Sequence, residues 1–194
     1  MRSVVCFALA LVLFPLPRLH AQSAEEPVDD GKLRIIVFGA HPDDAEYKCG
    51  GTAVLWARLG HHVKLVSVTN GDIGHWAMAG GPLAKRRTAE SAKVAEGLGV
   101  TSQVLDIHDG ELMPTLENRR TITRLIRDWR ADYVIAHPLW LHHLEHRHGR
   151  VLVQYPSSTL SVPLFCPDTP PLEEYPHLLY SRDRLQMPYP SELH

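Results

Sequence analysis

The order of short apolar runs and longer amphipathic stretches constrains this 194-residue chain more than any other feature. Residues 33–38 (LRIIVF), 62–69 (HVKLVSVT), 103–107 and 132–136 read as strands, each brief and rich in branched side chains. Residues 52–59, 83–98 and 118–129 carry helical spacing; Gly60 closes the first, and Gly99 stands as the C-cap of the second. Several strand runs are continuously apolar, as expected of a strand covered on both faces. Such strands alternating with helices predict an α/β fold on a mostly parallel sheet. Residues 39–51 and the Gly-rich stretch 74–82 are expected to be loops. Beyond Gln154 the chain turns Pro-rich, and a strand over 160–165 is the one regular element expected there.

The first 21 residues read as a secretory signal peptide. Arg2 precedes an apolar run over 4–16, shorter than the roughly 20 residues needed to cross a bilayer, and Ala21 is a small residue at the expected cleavage point. An uncleaved anchor is the alternative. Cys6 lies inside the run, away from any lipobox. Residues 22–32 then form a linker and 33–194 the domain. No second long apolar run follows, so no membrane span is expected after cleavage. Export permits a disulfide between Cys49 and Cys166, and two free buried thiols are an equal alternative. With 20 Lys+Arg against 22 Asp+Glu, the net charge of −2 offers no basic excess for nucleic-acid binding.

Chemistry concentrates at two places. Directly after the first strand comes His41-Pro42-Asp43-Asp44-Ala45-Glu46. In open α/β sheets ligands bind outside the carboxyl ends of the strands. His41 and Asp44 are three apart, so a tight turn can bring an imidazole and a carboxylate onto one cation, with Asp43 facing the same pocket. Two histidines and a carboxylate would leave zinc a fourth position for water, and a neighbouring carboxylate could take that water's proton. A plain turn, with Asp44 as the N-cap of a following helix, is the competing reading. Of 13 histidines, five fall between His137 and His148, after the fourth strand. There His143-Leu144-Glu145-His146 repeats the three-residue spacing and offers the missing ligand; a solvated polar loop is the alternative. Nucleotide binding is disfavoured, because no Gly-x-Gly-x-x-Gly follows the first strand. No nucleophile elbow marks a serine hydrolase.

Residues 35–46 (IIVFGAHPDDAE) resemble the opening motif of the LmbE-like, or PIG-L, superfamily of zinc-dependent N-deacetylases (GlcNAc-PI de-N-acetylase type). The resemblance continues at 68–72 (VTNGD), 87–90 (RTAE) and 162–168 (VPLFCPD). It implies an LmbE-like, Rossmann-like three-layer sandwich with His41 and Asp44 as zinc ligands and Asp43 as general base. His143-Leu144-Glu145-His146 stands where the family has His-Pro-Asp-His. That makes His146 the third ligand, and His143 the group that polarises the acyl oxygen or protonates the leaving amine. Glu145 would hold an imidazole in its working tautomer. Arg87 matches a position that reaches the substrate, a solvated helix-face charge being equally open.

The implied function is a zinc-dependent N-deacetylase acting on an N-acetylated sugar or related small amide. Iron, manganese or cobalt would suit the same donors, and another zinc amidase or a thiol-conjugate hydrolase would share the motif. The chain departs from the family over 138–150 and 155–161. Pro138-Leu139-Trp140-Leu141-His142 replaces an Arg-Pro-Asn-Asp-Tyr-like run. The alternative function is therefore a catalytically impaired metal- or sugar-binding relative whose third-ligand segment has degraded.

Overall fold

A computed structural model describes residues 30–138 and 142–182. The expected signal peptide, the linker up to residue 29, residues 139–141 and the end beyond Arg182 lie outside the described residues. Strands β1 (Arg34–Gly39), β2 (His62–Ser67), β3 (Thr101–Val104), β4 (Tyr133–Ala136) and β5 (His177–Tyr180) form one sheet in the order β3-β2-β1-β4-β5. Every pairing is parallel; Ile35 lies opposite Val63 on one side and Tyr133 on the other. The expected parallel α/β architecture is thus the observed one.

Side chains of a strand alternate between faces, and the core divides accordingly. Ile36, Phe38, Val66, Val68, Val134 and Ala136 pack against α3 (Leu116–Trp129) and α4 (Leu144–Gln154) through Ile122, Ile126, Leu152 and Val153. Ile35, Val37, Val63, Leu65 and Ile135 face α1 (Asp44–Arg58) through Ala45, Cys49 and Ala53, with Leu98 of α2 (Gly81–Leu98) alongside. Each fully buried Ile or Leu contributes about 1.5–3 kcal/mol, which explains why the continuous apolar runs occupy the middle of the sheet. Cys49 and Cys166 are both buried free thiols, and burial pushes Cys49 up to about 11. Among the described residues, no helix is long and apolar enough to cross a membrane.

The chain departs from the sequence expectation at several elements. α1 begins at Asp44, so most of the expected 39–51 loop is helix. Gly50-Gly51 lowers helix propensity by about 1 kcal/mol per residue. Yet Gly50 is buried within 3.6 Å of Leu98, measured from an added Cβ, so packing holds the helix there. β3 starts two residues earlier than expected, at Thr101. α4 and β5 carried no expectation at all.

The expected strand over 160–165 is a series of turns. The cause is Arg127, which is 2% exposed. Its guanidinium donates to the carbonyls of Thr159, Leu160, Val162, Cys166 and Thr169 at 2.8–3.1 Å. A chain wrapped around one cation cannot also extend into a ladder.

Strand order positions the site. β1, β2 and β3 step outward in one direction, and α3 then carries the chain back to β4 on the other side of β1. The order therefore reverses between β1 and β4. The crevice at such a reversal, outside the carboxyl ends, is where open sheets bind ligands. The loop bearing His41 and the segment bearing the histidine cluster both leave the sheet there.

Candidate metal centre

β1 delivers His41 with little freedom. The amides of Val68 and Thr69 donate to the Gly39 and Ala40 carbonyls at 3.0 and 2.8 Å, so β2 grips the backbone up to the residue before it. The turn then closes on itself: Asp44 N–H donates to the His41 carbonyl at 3.1 Å, and His41 N–H donates to Asp44 Oδ2 at 2.8 Å. Gly39 is required here, because an added Cβ would lie 2.5 Å from Asp44 Cβ. Asp44 is the first residue of α1 and not its N-cap. Asp43 occupies that position without a side-chain capping bond.

Three imidazole nitrogens converge on Asp44 Oδ2, the farthest being His137 Nε2 at 3.4 Å. His41 Nδ1 and His146 Nε2 each lie 3.2 Å from the same oxygen. The donor atoms of His41, Asp44 and His146 all fall within 4.8 Å of one another. Tetrahedral zinc with arms of about 2.0–2.1 Å spaces its donors about 3.3 Å apart, so both measured separations suit the ion. His41 Nε2 faces the other way, 2.9 Å from Glu145 Oε2 and 3.2 Å from Asp109 Oδ1. Glu145 Oε1 accepts the Gly110 and Leu112 amides at 2.9 and 3.0 Å. A carboxylate fixed in this way accepts a hydrogen bond from Nε2–H and leaves the Nδ1 lone pair for a metal. A second group, His41, His143 and Glu145, also falls within ligand spacing. Its Glu145 is already committed to two backbone amides, so the first set is the better fit.

The electrostatics match a cation position. Burial works against a charged His41, but hydrogen bonds to Asp44 and Glu145 outweigh it and lift the imidazole to about 9. Burial likewise opposes ionised Asp44, yet the imidazoles of His137, His146 and His41 around it hold the carboxyl far below its usual range. Desolvation raises Asp109, helped by its hydrogen bond to Glu145, whereas contacts with His41 and the Leu112 amide keep Glu145 low against its own burial. Burial, then the neighbouring His146 and His41, lowers His143.

The structure brings His41, Asp44, His143 and His146 together. The ring of His143 lies 4.9 Å from that of His41 and 4.6 Å from that of His146. Asp43 stands apart on the turn, its side chain 65% exposed, and Arg87 Nη2 donates to its Oδ2 at 2.7 Å. The same Nη2 donates to the Pro42 carbonyl, and Nη1 to Glu90 at 3.3 Å. Asp43 has φ 147° and ψ −22°. A non-glycine residue so placed costs on the order of 1–3 kcal/mol, and such strain persists only where the surroundings impose it.

Sequence reasoning passed over two residues. His137 is 2% exposed and stacks on His146 at 4.1 Å, its Nε2 accepting the Ala40 amide at 3.0 Å. Its partners lie far away in sequence, so no spacing announces it. Asp109 follows β3 in a His108-Asp109-Gly110 turn. The rule that singled out the carboxyl ends of β1 and β4 would have found it.

Residues 36–155 match the family described as GlcNAc-PI de-N-acetylase (PIG-L). The diacetylchitobiose deacetylase of Thermococcus kodakarensis is 35% identical over 133 residues, which make up 66% of this chain and 49% of that protein. Among solved structures, the N,N′-diacetylchitobiose deacetylase of Pyrococcus horikoshii superposes with a TM-score of 0.71 at 26% identity, covering 77% of this chain and 60% of that one. The 4-carboxy-2-hydroxymuconate hydratase of Pseudomonas putida, with a TM-score of 0.66 and 20% identity over 74% of this chain and 63% of its own, shares the fold. The chain therefore spans about half the length of the curated relative it matches.

Proposed function

The chain belongs to the GlcNAc-PI de-N-acetylase (PIG-L) family, and from that premise we propose that it is a zinc-dependent hydrolase removing the acetyl group from an N-acetylated sugar. The observation that carries this reading is the convergence of His41 Nδ1 and His146 Nε2 on Asp44 Oδ2 at the sheet's reversal point. Zinc held by His41, Asp44 and His146 would supply polarisation of the amide carbonyl and a water acidified to a pKa of about 7. Asp43 would act as general base, taking a proton from the attacking water as its oxygen adds to the carbonyl carbon. It then returns the proton to the nitrogen as the C–N bond breaks, leaving acetate and a free amine. His143, whose pKa burial and the neighbouring His146 and His41 lower, is suited to donating a hydrogen bond to the developing oxyanion. Such a donor is worth about a hundredfold or more in rate.

The rival reading is a metal- or sugar-binding relative without turnover, its third-ligand segment altered over 138–150. His146 lying 3.2 Å from Asp44 speaks against it. We also infer export, since residues 1–21 carry the pattern of a cleaved leader.

The test joins metal content to acetate release from N,N′-diacetylchitobiose. About one zinc per chain, with acetate release abolished by chelation, is the expected result. Asp43→Asn should keep the zinc and lose turnover, and His146→Ala should lose both. Zinc retained by His146→Ala would sink the ligand assignment, and full turnover by Asp43→Asn the base assignment.

A further inference from the structure

We propose that Arg87 is a positioning residue for Asp43, holding the strained turn that aims the base, and not a residue that grips the substrate. The proposal rests on the reading of Asp43 as the base.

The turn 41–44 has to do two things at once. His41 and Asp44 must both reach one cation, so Pro42 and Asp43 between them form the tip of a tight turn. The backbone meets that demand by placing Asp43 at φ 147°, a conformation an L-residue adopts only under constraint. Some of the constraint comes from below. The Asp43 carbonyl accepts the Tyr47 amide at 2.7 Å in the first turn of α1. Gly71 supports Pro42 from the side, where an added Cβ would come within 2.9 Å of the proline ring.

The rest comes from Arg87. One guanidinium nitrogen, Nη2, takes both the carbonyl of Pro42 and Oδ2 of Asp43. These acceptors flank the peptide bond that leads into the strained residue. A planar fork that holds a carbonyl and the next side chain fixes the orientation of both. It also divides the carboxylate: Oδ2 is occupied by Arg87, and Oδ1 is the oxygen left to accept a proton. Glu90, one turn further along α2, receives Nη1 at 3.3 Å and braces the guanidinium from behind. Arg87 thus spends its hydrogen bonds on the protein. Its neighbour Arg86, which donates to Glu90 at 2.8 Å and is more exposed, is the ordinary helix-face charge.

The consequence is a separation of effects. A substrate-gripping arginine, once removed, raises KM; an arginine that aims the base lowers kcat and leaves KM nearly alone. Steady-state kinetics on the zinc-loaded full chain should therefore show Arg87→Met losing about a hundredfold in kcat, the usual scale for a small misplacement of a reacting group, with KM little changed. Arg87→Lys should recover part of the loss, because one ammonium can hold one of the two acceptors. Arg87→Met added to Asp43→Asn should slow the enzyme no further, since the two act as a unit. Zinc content should be the same in all variants. Hydrogen exchange supplies a readout free of turnover: in Arg87→Met the amides of residues 43–47 should exchange faster, while those at the buried positions Ser91 and Ala95 of α2 stay protected.

A raised KM with kcat retained would overturn the proposal in favour of substrate binding. Additive losses in the double variant, or unchanged exchange over 43–47, would overturn it as well. If wild-type protein released no acetate while exchange over 43–47 still rose in Arg87→Met, the grip on the turn would stand and the deacetylase reading would fall.

Discussion

Two regions build the candidate metal centre, and they are made differently. The 41–46 turn is local: its ligands are three residues apart and tie to each other's backbone. The 143–148 region is assembled at long range: Glu145 meets His41 across 104 residues, and the His148 ring reaches the Leu112 carbonyl at 2.6 Å. The difference shows in packing. At Gly39 there is no room for a methyl group, whereas at Gly149 on α4 an added Cβ would meet Ala40 at 3.8 Å, an ordinary contact. The local half is rigid because its atoms are nearly touching. The distant half is held through α4 and a buried carboxylate.

The largest expected effect comes from cutting the link between the halves. Glu145→Gln keeps the shape but replaces the anion that accepts the hydrogen bond from His41 Nε2–H. Zinc affinity should fall about 10–100-fold, read by competition with a chelator, while the fold survives. Unchanged affinity would mean that Asp109 alone, 3.2 Å from the same nitrogen, orients His41.

A comparable effect, read on stability, contrasts the two glycines. Gly39→Ala forces α1 away from β1 and should destabilise by about 1–3 kcal/mol, with weaker zinc binding because Asp44 moves. Gly149→Ala should stabilise by about 0.5–1 kcal/mol, as alanine does within a helix. Denaturant titration of both variants decides; equal effects would erase the distinction between the regions.

The smallest effect concerns the bridge beside them. Asp72 accepts the Asp109 amide at 3.1 Å and pairs with His108 at 2.6 Å. The hydrogen bond to Asp72 raises His108 in spite of desolvation. Burial opposes ionisation of Asp72, but the Asp109 amide and His108 lower it. A raised histidine contributes stability below its unfolded value of about 6.5 and loses it as pH rises through the folded value. A lowered carboxylate contributes above its own unfolded value of about 3.9 and loses that in acid. The pair is therefore strongest between these limits. Exchange protection of the 71–80 loop should decline as pH rises from about 6.5 through the raised folded value of His108, and His108→Gln should flatten the profile. A pH-independent loop in the wild type would remove the pair from this role.

Legibility followed the same division. β1, β2 and β4 were readable as short apolar runs and α2 and α3 from helical spacing, and Gly99 does adopt the left-handed C-cap conformation, at φ 71°. The start of α1 was hidden by Gly50-Gly51, where tertiary packing overrides propensity. α4 was hidden because its first turn, 144–148, reads as a polar cluster. Its apolar face, Leu152 and Val153, has meaning only against the sheet. The 160–165 run looked like a strand because nothing near it in sequence announces Arg127. In the site, His41, Asp44 and the pairing of His143 with His146 were legible from spacing; His137 and Asp109 were not.

By itself the sequence determined a parallel α/β sheet and a His41–Asp44 turn at the end of its first strand, because periodicity and short spacing are local properties. Tertiary structure decided that β1 and β4 are neighbours, that His146 and His137 come within 3.2 and 3.4 Å of Asp44 Oδ2, and that Arg87 closes on Asp43. Those choices join residues 44 to 102 positions apart, and they follow from strand pairing and core packing. No short window of sequence contains them.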